Sequence, residues 1–229
     1  MLPEPLAVLV AMDIEGMAIE AALDEQTSST VLGVRITDGL LHGHRLLLAY
    51  SGVGKVNATL ATAALATAGA RAVVLVGMAG GVSSHVRLGE AIIATDLVQH
   101  DVDVSMFGSP LGIINGQTAG GTADLDLSDR LALAAVDVGA IVHRGRITSG
   151  DQFIASPKRA KKIAQEFDTL AVEMEGAAVA QACTRLKLPF AVLRWVSDAA
   201  DQAALTDFPA FTRQIAGLDL AVIKALLLG

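Results

Sequence analysis

One cysteine in 229 residues, Cys183, leaves no internal disulfide to form. It sits in "AAVAQACTRL" at helical spacing from apolar neighbours and reads as a packed thiol, the usual state of a free cysteine. Aromatic residues are scarce, at 3% of the chain. With 17 basic residues against 24 acidic ones and a formal charge of −7, the chain lacks both the basic patch and the stacking platform of a nucleic-acid binder. Acidity of this size is ordinary for soluble enzymes and implies no cationic partner. No apolar run approaches the ~18 residues of a membrane span. The opening "MLPEPLAVLVAM" has no Lys or Arg before its short apolar run and does not read as a signal peptide. These absences predict a soluble, cytoplasmic protein without membrane or nucleic-acid partners.

Missing motifs narrow the chemistry further. "SGVGKVN" is no Walker A loop, because the four-residue gap before Gly-Lys and the Ser/Thr after it are absent. "GMAGG" lacks the spacing of a dinucleotide fold, and no GxSxG elbow exists to carry a Ser/His/Asp triad. "QHDVD" offers His100, Asp101 and Asp103, but no second His/Cys group stands at ligand spacing, so no metal is expected. Nothing in the chain calls for a cofactor.

What is present is apolar material: 52% hydrophobic residues and a mean hydropathy of +0.53, enough for a large core in one domain over residues 1–229. Leu6 to Met12 reads as a strand buried on both faces, ended by Asp13 as N-cap of the helix "IEGMAIEAAL". Leu46 to Tyr50 reads as a strand, "SGVGK" as a turn and Asn57 to Thr67 as an alanine-rich helix. "AVVLVGM" (72–78) is a buried strand closed by the glycine turn "AGG", and "EAIIATDLV" (90–98) and "IVHRGRIT" (141–148) are further strands. Residues 108–125 read as a long loop. A helix over Ser156 to Gln165 precedes strand Leu170–Glu173, helix Ala177–Leu186, strand Phe190–Val196 and a terminal helix from Phe208 to Leu228. This alternation predicts a three-layer α/β sandwich with a mixed, mostly parallel central sheet. In such sheets ligands bind beyond the carboxyl ends of the strands.

At those ends stand acids. Each has an ordinary reading: Glu15 as a first-turn acid favoured by the helix dipole, Glu173 and Glu175 as a turn or helix start, Asp198 as a cap. Together they meet a chemical demand. A glycosidic bond breaks through an oxocarbenium-like state, with an acid at the leaving group and a base on water. A purine leaves readily only when a ring nitrogen is protonated, which requires a partly desolvated carboxyl. A second, ionised carboxylate activates water, and a third can accept hydrogen bonds from a ribose diol. Asp198, Glu15 and Glu175 suit these three tasks.

The motifs "AMDIE", "SGVGKVNA", "GMAGGV…LGE", "HDVDVSMFG", "SGDQFI", "AVEMEGAAVA" and "RWVSDAAD", in this order, resemble the nucleoside phosphorylase/nucleosidase superfamily. Within it they resemble the 5′-methylthioadenosine/S-adenosylhomocysteine nucleosidases. The resemblance runs over nearly the whole chain and implies hydrolysis of 5′-thio-substituted adenine nucleosides to adenine and a thioribose. It implies Asp198 as the acid at purine N7, oriented by Ser197, and Glu15 as the base for water. It also implies Met174 and Glu175 at the ribose, Glu173 in the water network, and Arg194 in the same polar cluster. Phe153 would stack on the purine, Ile154 would offer it backbone hydrogen bonds, and Phe208 would line the 5′-alkylthio pocket. Val104 and Phe107 would reach the neighbouring subunit's pocket, implying a homodimer.

Three positions depart from the family's pattern. Met78 stands where a Gly-Ser-Ala-Gly-Gly turn carries a hydroxyl, Trp195 where a small apolar residue is usual, and Ser109 where an aromatic is common. They keep open a futalosine-type nucleoside as substrate. Phosphorolysis is the other alternative, but phosphorylase relatives place an arginine and a serine where Leu75 and Met78 stand, and Glu15 would repel a phosphate dianion.

Overall fold

Strand β1 (Leu6–Val10) has no polar residue because it is buried on both faces: Ala7 and Leu9 point into one core, Leu6, Val8 and Val10 into the other. Strand β5 (Ala72–Gly81) alternates in the same way, with Val73 and Leu75 on one side and Val74 and Val76 on the other. The first core is closed by helices α2 (Lys55–Thr67) and α5 (Gly176–Leu186), whose buried faces are mostly alanine and which therefore lie close on the sheet. The second is closed by α1 (Asp13–Ala22), α3 (Leu125–Asp137) and α6 (Ala204–Leu228) through larger side chains such as Ile19, Leu131 and Ile223. Helix, sheet and helix form three layers, and each fully buried leucine contributes roughly 1.5–3 kcal/mol. The computed structural model describes residues 2–201 and 204–229, less the side chains of 205–210 and 213–216. Among the described residues, no helix is long and apolar enough to cross a membrane.

The central sheet is mixed. The remaining strands are β2 (Asp24–Val31), β3 (Val34–Leu41), β4 (His44–Tyr50), β6 (Ala91–Gln99), β7 (Ile113–Ile114), β8 (Gln117–Thr118), β9 (Gly120–Thr122), β10 (Val142–Ser149), β11 (Ala171–Glu173) and β12 (Phe190–Asp198). Helix α4 (Pro157–Phe167) lies between β10 and β11 in the chain. The spatial order is β11-β10-β6-β12-β5-β1-β4-β3-β2. Strands β4, β1, β5 and β12 run parallel, whereas β6 pairs antiparallel with β12. The sheet then curls until β11 returns to the end of β5, pairing antiparallel as Ala171↔Gly81 and Val172↔Gly80. This closure brings the end of β11 beside the carboxyl ends of β1, β5 and β12.

Several sequence expectations change here. "AGG" is not a turn but the last part of β5, held extended between β12 and β11. Its glycines permit the crowding: a Cβ on Gly80 would lie 2.9 Å from Asp198 Oδ1, and one on Gly81 would lie 3.0 Å from Val196 Cγ1. Strands β2 and β3 have no counterpart in the sequence reading, because β2 is a polar edge strand exposed almost throughout. Its hairpin turns on Leu32 and Gly33, both with positive φ, a type I′ geometry without the Asn-Gly signal. The 108–125 loop contains the β7–β8 hairpin and β9, which pairs with β6. Asp13 is the first residue of α1 rather than its cap; the N-cap is Met12.

Candidate active site

The carboxyl ends of β1, β5, β11 and β12 surround a cavity of about 330 Å³. Glu15, Met78, Phe153, Ile154, Glu173, Met174, Glu175, Arg194, Ser197 and Asp198 all line it. Val104 and Phe107 do not: they lie in and before the 3-10 turn Ser105–Phe107, where Phe107 is 81% exposed. Phe208 falls in α6, but its side chain lies outside the described residues.

Glu15 is buried because its carboxylate turns back on its own helix N-terminus. Oε2 accepts the N–H groups of Ala11 (2.9 Å) and Met12 (2.8 Å), and the Met78 N–H contributes as well. A Cβ on Gly77 would lie 2.5 Å from Glu15 Oε1 and closer still to Arg194 Nη1, so the glycine makes room for both side chains. Gly77 also has φ +149, a conformation that favours glycine. Burial raises the Glu15 pKa above the ordinary carboxylate value, against the pull of Arg194 and the backbone N–H groups. Met78 supplies no hydroxyl; its backbone serves Glu15 while its side chain joins the second core.

Glu173 and Glu175, two residues apart, have different surroundings. Strand β11 ends at Glu173, and Glu175 is the N-cap of α5 with φ −131° and ψ −43°, so the bend precedes Gly176 and Met174 remains at the cavity. Glu173 Oε2 accepts the N–H groups of Glu175 (3.1 Å) and Gly176 (2.8 Å) together with Arg194 Nη2, and Oε1 accepts the Ser149 hydroxyl. Four donors leave it little free capacity. Among the described residues, Glu175 accepts only the Gly54 N–H (2.8 Å) on Oε1 and Arg194 Nη2 (3.2 Å) on Oε2. Burial, reinforced by the charge of Glu173 and opposed by Arg194, pushes the Glu175 carboxyl up to about 7. Arg194, itself 1% exposed, thus faces three buried carboxyl groups with one positive charge. Full ionisation of all three would leave the cluster at −2, and this crowding of negative charge adds to burial in holding the Glu175 carboxyl up.

Asp198 ends β12 on the other side of the cavity. Oδ2 accepts the Ser197 hydroxyl at 2.7 Å and Oδ1 accepts the Ala200 N–H at 2.8 Å, fixing the carboxyl at 4% exposure. Trp195 turns away from the cavity and donates its indole N–H to Asp219 Oδ1 on α6 (2.8 Å). Ser109 is not among the lining residues, so neither departure at these two positions touches the cavity wall directly. Among the described residues no group of three or more His, Cys, Asp or Glu side chains is placed to hold a metal ion.

Sequence reasoning missed three supports. Gly54 holds Glu175, Ser149 holds Glu173 and also accepts the Ala177 N–H (2.7 Å), and Gly77 makes room for Glu15. Their signals, "SGVGK", "SGDQFI" and "GMAGG", were in view, but each acts on a residue distant in the chain.

Comparison with known proteins agrees with this fold. The chain matches the phosphorylase superfamily model over residues 5–228. It is 36% identical over 216 residues to a 5′-methylthioadenosine/S-adenosylhomocysteine nucleosidase of Bacillus cereus, covering 92% of this chain and 93% of that protein. The nucleosidase of Neisseria meningitidis in complex with methylthio-immucillin-A superposes with a TM-score of 0.92 at 35% identity, over 97% of each chain. A futalosine hydrolase of Helicobacter pylori gives 0.91 at 33% identity, also over 97% of each. The chain belongs to the phosphorylase superfamily and, within it, to the family of the 5′-methylthioadenosine/S-adenosylhomocysteine nucleosidases.

Proposed function

We propose that this protein hydrolyses the N-glycosidic bond of 5′-thio-substituted adenine nucleosides, 5′-methylthioadenosine and S-adenosylhomocysteine, releasing adenine and the thioribose. The observation that carries the reading is the placement of Asp198 and the Glu15–Glu175 pair at one cavity, with a single buried arginine between the glutamates. Asp198, oriented by Ser197, protonates N7 as the base departs. Phe153 stacks on the purine and Ile154 bonds its edge. Glu15 takes a proton from the attacking water; its raised pKa makes it a stronger base than an ordinary carboxylate. Glu175, which retains acceptor capacity, binds the ribose hydroxyls beside Met174, while Glu173 holds Arg194 and the start of α5 in place. The excess negative charge of this cluster favours the cationic sugar of the transition state. No cofactor enters the reaction.

Phosphorolysis is disfavoured by charge. Among the described residues lining the cavity Arg194 is the one cation, and Glu173 and Glu175 already engage it. A futalosine-type nucleoside remains the second reading, supported by the Helicobacter pylori neighbour. The enzyme acts as a cytoplasmic homodimer in which Val104 and Phe107 reach the partner's pocket. The exposure of Met106 (87%) and Phe107 (81%) supports this arrangement. The test is adenine release from methylthioadenosine with and without phosphate, run beside a futalosine-type substrate. A strict phosphate requirement, or turnover of the futalosine-type substrate alone, overturns the main reading.

A further inference from the structure

Outside the carboxylate cluster, one more network reaches the cavity. Gly54, whose N–H donates to Glu175 Oε1 at 2.8 Å, is the N-cap of α2, and Lys55 is the first residue of that helix. The Lys55 ammonium donates to Asp101 Oδ1 (2.6 Å) and Gln99 Oε1 (2.9 Å), and its backbone N–H donates to Asp151 Oδ1 (2.9 Å). The Asp151 N–H in turn donates to Asp101 Oδ2 (3.0 Å), and Gln99 Nε2 donates to Gln181 Oε1 (2.8 Å) on α5. Side chains of Lys55 and Asp101 are only 16% and 17% exposed, so the ion pair is largely withdrawn from water. Desolvation would raise the Asp101 pKa, yet Lys55 and the Asp151 N–H outweigh it and hold the carboxyl below its ordinary value.

Three chain segments, at the starts of α2 and of the 100–104 loop and just after β10, thus meet at one cation. Among the described residues, Gly54, the neighbour of that lysine in the chain, supplies the one backbone donor to Glu175. Gly54 has φ +101, so this turn is not fixed by ordinary backbone preference and depends on what tethers it. We propose that Lys55, paired with Asp101, is a positioning residue that holds the Gly54 amide on Glu175 and so fixes the ribose-binding carboxylate. The proposal rests on the reading of Glu175 as ribose ligand. A misplacement of about 1 Å caused by a change away from the reacting atoms can cost up to about 10²-fold in activity.

The test pairs enzyme and substrate changes. Wild type, Lys55→Met, Lys55→Arg and Asp101→Asn are assayed for adenine release from methylthioadenosine and from its 2′,3′-dideoxy analogue, which offers Glu175 no hydroxyl. The expected result is a roughly 10–100-fold fall in kcat/KM for Lys55→Met with methylthioadenosine, and less than about threefold with the dideoxy analogue. Asp101→Asn should show the same pattern and Lys55→Arg should recover most of the loss. Should Lys55→Met fail to fold, Asp101→Asn, which still accepts the Asp151 N–H, carries the comparison. Equal losses with both substrates overturn the proposal and leave the function standing. A wild-type enzyme that treats both sugars alike overturns the ribose reading of Glu175 and the proposal with it.

Discussion

Asp198 at the end of β12 and Glu15 in the first turn of α1 are both buried carboxyl groups, yet their partners differ. Asp198 receives a neutral hydroxyl and one amide, and Glu15 receives backbone N–H groups beside an arginine. If Asp198 is the proton donor, Asp198→Asn keeps the Ala200 contact but removes the acidic proton. Adenine release should then fall by ~10²–10⁴-fold, read as kcat against methylthioadenosine, while binding of the nucleoside persists. Glu175 makes a separate prediction through stability. Its folded pKa is raised to about 7 from an ordinary 4.5, so between these values the folded state keeps a proton that the unfolded state loses. This stabilising contribution is fully present below about 4.5 and fades as pH rises through about 7. Glutamine cannot titrate. The stability of the ligand-free wild type relative to Glu175→Gln should therefore decline between pH 5 and 8, by on the order of 1–3 kcal/mol, in denaturant titrations. A difference that does not vary with pH would contradict the assignment.

Elements decide what these residues can do. Strand β5 carries Gly77 in register with Arg194 of β12, and the two share space with Glu15. Gly77→Ala should cost at least tenfold in kcat/KM and lower thermal stability, because the added methyl meets backbone-anchored groups and a positive φ together. Wild-type activity in that variant would show that the crowding relaxes without consequence. The buried strands β1, β5 and β12 were legible in the sequence, since unbroken apolar runs between turn residues have few other solutions. The acids at their ends were legible for the same reason. Strand β2 was not, because a polar edge strand lacks periodicity, and "AGG" misled because glycines that admit close packing look like glycines that turn. Gly54 and Ser149 stayed hidden because backbone and hydroxyl support is supplied across the fold and leaves no local pattern.

At the scale of the molecule, the sheet closes on itself and gathers residues from positions 15 to 198 at one cavity, whereas Met106 and Phe107 stay in water on the single chain. A homodimer would cover them and complete the 5′ end of the pocket. Phe107→Asp should then shift the protein from dimer to monomer in sedimentation and reduce kcat/KM at least tenfold; a wild-type monomer at micromolar concentration would contradict the arrangement. The central claim is hydrolysis by protein carboxylates alone, and adenine release from 5′-methylthioadenosine in phosphate-free buffer tests it most directly. The account predicts one adenine and one free thioribose per nucleoside consumed, at a rate unchanged by added phosphate. No release until phosphate is supplied, with a sugar 1-phosphate as product, would contradict it.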